Sequence, residues 1–543
     1  MDLETLVGQK LTIGVPGTRV TPEIIRHFKE LHAGGIILYR INFESPAQIK
    51  KFISDLESAL ARKLLVCVDH EGGRVVMFRD GVTVFPDNLA LGKTGKIVAS
   101  LSQIKGSDTS DRVLNEEMPL PLTHKNAASL KARSDYARKQ GEIEAKELRR
   151  LGVDVNLSPV LDVLTDSYSP NIGIRSYGSD WKLVSALGGA RIAAMQKGGI
   201  SACAKHFPGK GHAPLDAHLG LPVIPSTWEE MEAIHLRPFV KAIENGIHSV
   251  MTSHPYYPFL DPEPNRIATF SRKIVYDTLR KRLKFKGVIF SDDLEMGAIK
   301  AICPIPQAGV KAAQAGHDIL LVCHDMEAQR KVYNALLEAY RNKTLSNDEL
   351  EESFERIETL KAKRKKRFEG GLPHPVPAGK VLARIICDQS VTFLKNPIRR
   401  LLTEWKKRKM LVIFPRLSSL ASKIMVEKEL CNEEKYLRTR FKRLGLKPEI
   451  RIVEIEPSPQ ETLDLQSLSR DFETTLLFCF DARLYPSNQQ LLDGIQIRAR
   501  EAVIALLRDP YDSDLIHKNA SCLTDFGWRV CQIDAILKKL FSY

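Results

Sequence analysis

Short apolar runs recur along the chain at 11–15, 35–39, 64–69, 153–157, 200–206, 249–254, 287–292 and 317–322. Most are rich in Val, Ile and Leu, and each has the length of a strand buried on both faces. Between most of them the pattern changes to helical periodicity, as at 46–62, 136–151 and 182–197. The first of these opens with Ser45-Pro46, a capping residue followed by a proline suited to the first helical position. Eight βα units in a segment of this size predict a TIM (β/α)8 barrel. Active sites of that fold form at the carboxyl ends of the strands. Here those ends carry Asp69, Lys205, His206, His254 and Asp292. Polar residues converging from separate strands on one rim are hard to explain as packing.

The alternation breaks twice. Residues 96–133 are long for a βα loop and read as an insertion in a barrel domain spanning 1–368. Residues 369–380 follow a basic helix end with Gly370-Gly371 and then Pro373, Pro375 and Pro377, which reads as a linker. Apolar runs resume at 410–414, 450–455, 474–480 and 502–507, with helical stretches at 420–430, 488–501 and 531–541. Residues 381–543 are therefore expected to form a smaller, sandwich-like α/β domain with an open parallel sheet.

Composition narrows the class. The chain has 543 residues, 43% apolar and 27% charged, ordinary values for a soluble globular protein. It has no apolar run long enough to span a bilayer. Its N-terminus is acidic where a signal peptide is basic, so a cytoplasmic enzyme of bacterial type is expected. Nine scattered cysteines without a Cys-X-X-Cys suit reduced buried thiols and neither a disulfide frame nor a zinc site. The net charge of +14 raises the question of nucleic acid. Its basic runs, 361–367 and 406–409, lack interleaved aromatic residues and read as solvated helix faces. Gly92-Lys93-Thr94 imitates the end of a phosphate-binding loop, but the upstream glycine is replaced by Asp87.

The densest chemistry is the stretch Lys205-His206-Phe207-Pro208-Gly209-Lys210-Gly211, followed by Asp216-Ala217-His218. A carboxylate two residues from an imidazole can form a proton-transfer unit. Taken alone, a polar turn with a capping Asp and a surface His explains it equally well. Further motifs run in order along the same segment: 34–38 (GGIIL), 69–75 (DHEGGRV), 158–163 (SPVLDV), 174–178 (IRSYG) and 291–296 (SDDLEM). Together they resemble glycoside hydrolase family 3, specifically its bacterial β-N-acetylglucosaminidases of the NagZ type, in a two-domain form.

The resemblance implies a retaining glycosidase with a glycosyl-enzyme intermediate on Asp292. Strand alternation turns its neighbour Asp293 the other way, and helix capping accounts for Asp293. It also implies Asp216 and His218 as the acid/base dyad. If that pair fails, Glu295 and His254 are the next residues to test for proton transfer. Asp69, Arg175, Lys205 and His206 are implied as sugar-binding residues. Glu71 and Arg74 read as an internal ion pair shaping the Gly72-Gly73 turn. Two positions depart from the family pattern: Met77 stands where a second Arg is usual, and Lys210 where a His is common, with His212 nearby.

The expected activity is removal of terminal N-acetylglucosamine from peptidoglycan fragments in cell-wall recycling. No cofactor and no metal are implied. The expected partner is a small carbohydrate, a GlcNAc-containing muropeptide, with no nucleic acid and no membrane, bound by a monomer. A β-N-acetylglucosaminide phosphorylase or a β-glucosidase on the same scaffold is the alternative. A decayed sugar- or nucleic-acid-binding barrel is the alternative outside enzymes.

Overall fold

A computed structural model describes all residues except 95–129, 167–168, 214–220, 366–373, 421–429, 431, 509 and 542–543. Eight parallel strands close into a barrel: β1 (Leu11–Ile13), β2 (Gly35–Leu38), β3 (Leu65–Val68), β4 (Val155–Asn156), β5 (Ser201–Phe207), β6 (Ser249–Thr252), β7 (Val288–Asp293) and β8 (Ile319–Val322). Each pairs with the next, and β1 returns to β8 with Leu11 opposite Leu320. All eight predicted runs contain a strand. The fourth is only two residues long, and pairing with β5 resumes as an isolated bridge between Val160 and Lys205.

Alternation along each strand divides the core. Ile37, Cys67, Val155, Cys203, Met251, Phe290 and Leu321 form one apolar cluster, which Ile357 and Leu360 of the helix Asn347–Ala362 join. Their neighbours Ile36, Leu38, Val66 and Val68 pack in a second cluster with the surrounding helices. Strands with both faces covered need apolar residues throughout, which is why the sequence shows unbroken runs.

The helices begin and end where local chemistry dictates. Ser45 caps the helix Pro46–Leu60 by accepting from the Gln48 N–H at 3.2 Å. Gly199 ends the helix Trp181–Gly198 at φ +92°, a conformation that costs a residue without Cβ little, and releases the chain into β5. The expected insertion at 96–133 falls largely outside the described residues. Its last four residues are helical, belonging to Leu130–Leu151, which starts six residues before the predicted 136.

A second sheet follows, in the order β11-β10-β12-β13-β14-β9. Its strands are β9 (Thr392–Lys395), β10 (Met410–Pro415), β11 (Glu449–Val453), β12 (Thr474–Cys479), β13 (Ala502–Leu506) and β14 (Ser521–Thr524). Five are parallel, and β9 joins β14 antiparallel at the edge. The sheet is thus mixed, where an all-parallel sheet was expected. β9 and β14 are four residues each and carry polar residues, too short and mixed a signal beside the four apolar runs. The predicted helix at 420–430 falls almost wholly outside the described residues.

The helix Pro377–Ser390 begins inside the 369–380 stretch and ties the two sheets together. Its Leu382, Ala383 and Ile386 share one buried cluster with Leu89 and Tyr136 of the barrel segment and with β10 and β12. A Cβ at Gly379 would lie 2.0 Å from Thr83 Oγ1, so only glycine allows this approach. Among the described residues no helix is long and apolar enough to cross a membrane.

Candidate active site

The carboxyl ends of β3, β5, β6 and β7 bring the expected polar residues to one rim, where they form a continuous network. Lys205 Nζ lies 2.5 Å from Asp69 Oδ1 and 2.6 Å from Glu71 Oε1. Arg175, from the short turn Gly173–Arg175, grips Glu71 with two hydrogen bonds of 2.7 and 2.8 Å. Its Nη2 also faces His206 Nε2 at 3.3 Å. His206 Nδ1 meets Asp162 Oδ2 at 2.7 Å, and Asp162 Oδ1 accepts the Lys210 N–H at 2.7 Å. Lys210 Nζ then stands 3.9 Å from Asp292 Oδ2. Consecutive residues of a regular strand point apart, yet Lys205 and His206 both serve this network. The pairing of β5 with β6 shifts register between Lys205 and Phe207, which re-aims them.

Glu71 therefore does not form the expected ion pair with Arg74. Its carboxylate is taken by Arg175 and Lys205. Arg74 instead donates its N–H to Asp87 Oδ1 at 2.9 Å and its Nη1 to the Pro170 carbonyl at 2.9 Å. Glu71 is the buried anchor of two cations. Replacing it with Ala leaves both without their shared partner. We expect Glu71→Ala to cost about 3–5 kcal/mol, the usual cost of breaking a buried pair. An Asp55→Ala control at the exposed Lys51–Asp55 pair should cost under about 1 kcal/mol. Urea denaturation midpoints check both, and equal midpoints would show that Glu71 carries no structural load.

Burial and charge set the protonation states. Arg175 and Lys205 hold Glu71 well below the usual carboxylate range against the cost of burial. Burial, with Glu71 adding to it, pushes Asp69 up to about 6 despite Lys205. Burial raises Asp162 to about 6 as well. It lowers His206 well below its ordinary value, and the nearby Lys210 and Arg175 lower it further. A neutral His206 fits the geometry: Nδ1–H donates to Asp162, and Nε2 accepts from Arg175. Asp292 is held below its ordinary value by Lys210 and His254, which outweigh burial.

Asp292 and Asp293 face different surroundings, although the pairing of β7 with β8 shifts register between Phe290 and Asp293, so that simple alternation does not set their directions. Asp292 looks toward Lys210, His254 and Lys205, and its Oδ1 accepts the Asp293 N–H at 2.9 Å. Asp293 pairs with His324 at 3.3 Å and accepts the Glu295 N–H at 3.1 Å. It caps that turn and not a helix; the next helix, Gly297–Lys300, has Met296 at its cap position.

The two reserve candidates for proton transfer are committed elsewhere. Glu295 accepts the His324 and Asp325 N–H groups at 2.6 and 3.1 Å. His254 Nε2 donates to the Asp293 carbonyl at 2.9 Å, and its Nδ1 meets Thr269 Oγ1 at 2.7 Å. Asp216 and His218 lie outside the described residues. Met77 is buried in the apolar cluster with Phe78 and Val82.

Sequence reasoning missed three members of the rim. Asp162 sat inside a recognised motif without a role. Lys210 was visible only as a departure. His324, 43% exposed, lies with its ring tilted against that of Tyr39, centroids 5.0 Å apart, and pairs with Asp293. It lies two residues past β8, and the rule that found Asp69 and Asp292 would have found it.

The second domain reaches the same rim. Arg529, 2% exposed, donates Nε to the Gly73 carbonyl at 2.7 Å. Arg508 donates Nη2 to the Pro170 carbonyl at 3.1 Å. These contacts brace the loops that carry Glu71 and Arg175.

Residues 3–360 match the family model described as the glycosyl hydrolase family 3 N terminal domain. The chain belongs to glycosyl hydrolase family 3. A β-hexosaminidase from Methylobacillus flagellatus is 34% identical over 314 residues, which are 58% of this chain and 80% of that relative. The solved family 3 β-N-acetylglucosaminidase from Paenibacillus sp. str. FPU-7 superposes with a TM-score of 0.86 at 27% identity, covering 100% of this chain and 97% of that one. NagZ from Neisseria gonorrhoeae, solved with N-trifluoroacetyl-D-glucosamine, gives a TM-score of 0.52 at 27% identity over 69% of this chain and 96% of its own. The family 3 likeness thus extends through the second domain, as in the Paenibacillus enzyme.

Proposed function

We propose that this family 3 enzyme is a retaining exo-β-N-acetylglucosaminidase acting on peptidoglycan-derived fragments in cytoplasmic cell-wall recycling. The observation that carries the reading is Asp292: a carboxylate, 18% exposed, at the end of β7 with the Lys210 ammonium 3.9 Å away, which helps hold its pKa below the ordinary value against burial. Asp292 attacks the anomeric carbon and forms the glycosyl-enzyme. His218 gives a proton to the departing oxygen and later takes one from the incoming water. Asp216 orients the imidazole and supports its pKa.

Asp69, Arg175, Lys205 and His206 bind the sugar. Asp69 keeps 28% of its side chain exposed, so its carboxylate is open to ring hydroxyls, while Lys205 is almost wholly buried behind it. The two similar solved enzymes support N-acetylglucosamine as the sugar. The motif resemblance supports the muropeptide aglycone.

The test is hydrolysis of aryl β-glycosides of N-acetylglucosamine, glucose and xylose, with and without phosphate. We expect the N-acetylglucosaminide to be preferred, the first product to keep the β configuration, and phosphate to leave the rate unchanged. A preference for the glucoside would move the chain to another branch of the family. Release of a sugar 1-phosphate would make it a phosphorylase.

A further inference from the structure

Lys210 is 2% exposed, yet it lies at the rim and its ammonium group points at Asp292. Its place is fixed from behind, where its N–H donates to Asp162 Oδ1. Among the described residues, the only carboxylate within 4.0 Å of its Nζ is Asp292. The other groups that face Asp292 are His254 after β6, Lys205 on β5 and the Asp293 N–H. His254 acts on Asp292 less than Lys210 does, since burial lowers its own pKa, and Lys205 is already paired with Asp69 and Glu71. The groups that face Lys210 are Asp292 and Asp162, opposed by Arg175 and Lys205. Lys210 is thus the cation whose charge is directed at Asp292.

We infer that Lys210 is a positioning residue that stabilises the departing Asp292 carboxylate and so speeds breakdown of the glycosyl-enzyme. The inference rests on the reading of Asp292 as nucleophile. In the first half-reaction an Asp292 oxygen bonds to the anomeric carbon, the aglycone oxygen leaves with its electron pair and takes a proton, and the charge on Asp292 disappears. In the second half-reaction water oxygen bonds to that carbon, its proton passes to the acid/base group, and the electron pair of the broken ester bond returns to Asp292. A fixed cation opposes the first change and favours the second. A buried His at this position would be neutral and would do neither.

The experiment uses the full chain and an aryl N-acetylglucosaminide with a good leaving group. We expect Lys210→Met to release a burst of aryl product equal to the enzyme present, which the unmodified enzyme does not show. Steady turnover should then be about 10-fold slower or more, with kcat and KM falling together because the intermediate accumulates. The acid limb of kcat/KM should move up by about one pH unit or more, since Asp292 loses its nearest cation. Lys210→Arg should recover part of both effects, which a purely structural role does not predict. If Lys210→Met does not fold, Lys210→Gln is judged by the same two readouts. An unshifted acid limb and no burst, with Asp292→Ala inactive, would overturn the role of Lys210 and leave the nucleophile standing. An active Asp292→Ala would overturn both.

Discussion

Asp292→Ala should lower turnover by about 10⁴-fold or more, the scale on which loss of a nucleophile acts, while Asp293→Ala should keep measurable activity. The difference follows from where the two carboxylates point. On the proposed reading Asp292 faces the residues assigned to the sugar, and Lys210, with His254, holds its carboxyl below the ordinary value against burial. Removing it deletes the atom that attacks, and no neighbouring group replaces it. Asp293 faces His324 and the Glu295 N–H, so its loss weakens a turn and a half-exposed ion pair. That costs about 1 kcal/mol of local order and no reacting atom. Initial rates, with circular dichroism to confirm the fold, check both variants. An inactive Asp293→Ala beside an active Asp292→Ala would reverse the assignment.

His218→Ala should slow hydrolysis by about 10²- to 10⁴-fold, the usual range for a lost general acid/base. The loss should shrink on substrates with good leaving groups, which need little protonation to depart. Asp216→Ala should be milder, because the imidazole survives without its orienting carboxylate. The described residues sharpen this expectation. Both oxygens of Glu295 and both ring nitrogens of His254 are bound to the protein, so neither is free to take over. Unchanged rates for His218→Ala on a poor leaving group would send proton transfer to another residue, and His324 would be the next to test.

The barrel was legible because strands covered on both faces leave largely apolar runs, and eight of them separated mostly by helical stretches admit few folds. In the second sheet four strands were legible, the edge strand β11 among them, and two were not. β9 and β14 sit at or near its edge, where short polar-apolar strands give no clear period. In the site, residues carried by motifs at strand ends could be read directly. Their partners could not. Glu71 and Arg74 are three residues apart and look like a local pair, yet Glu71 is held by Arg175 and Lys205 from distant elements. Strand alternation also failed at Lys205 and His206, because a register shift that no local composition announces turns both toward one network. Lys210 was hidden for a different reason: a family pattern marks a substitution without saying what the new charge faces.

The central claim is that a covalent bond forms between the sugar and Asp292. It is tested most directly by inactivating the enzyme with a fluorinated N-acetylglucosaminyl fluoride, which forms the glycosyl-enzyme quickly and releases it slowly, and locating the label by peptide mass spectrometry. One sugar on the peptide containing 288–293, with fragmentation placing it on Asp292, is the predicted result; a label on Asp293, or turnover of the reagent with no covalent adduct, would contradict it.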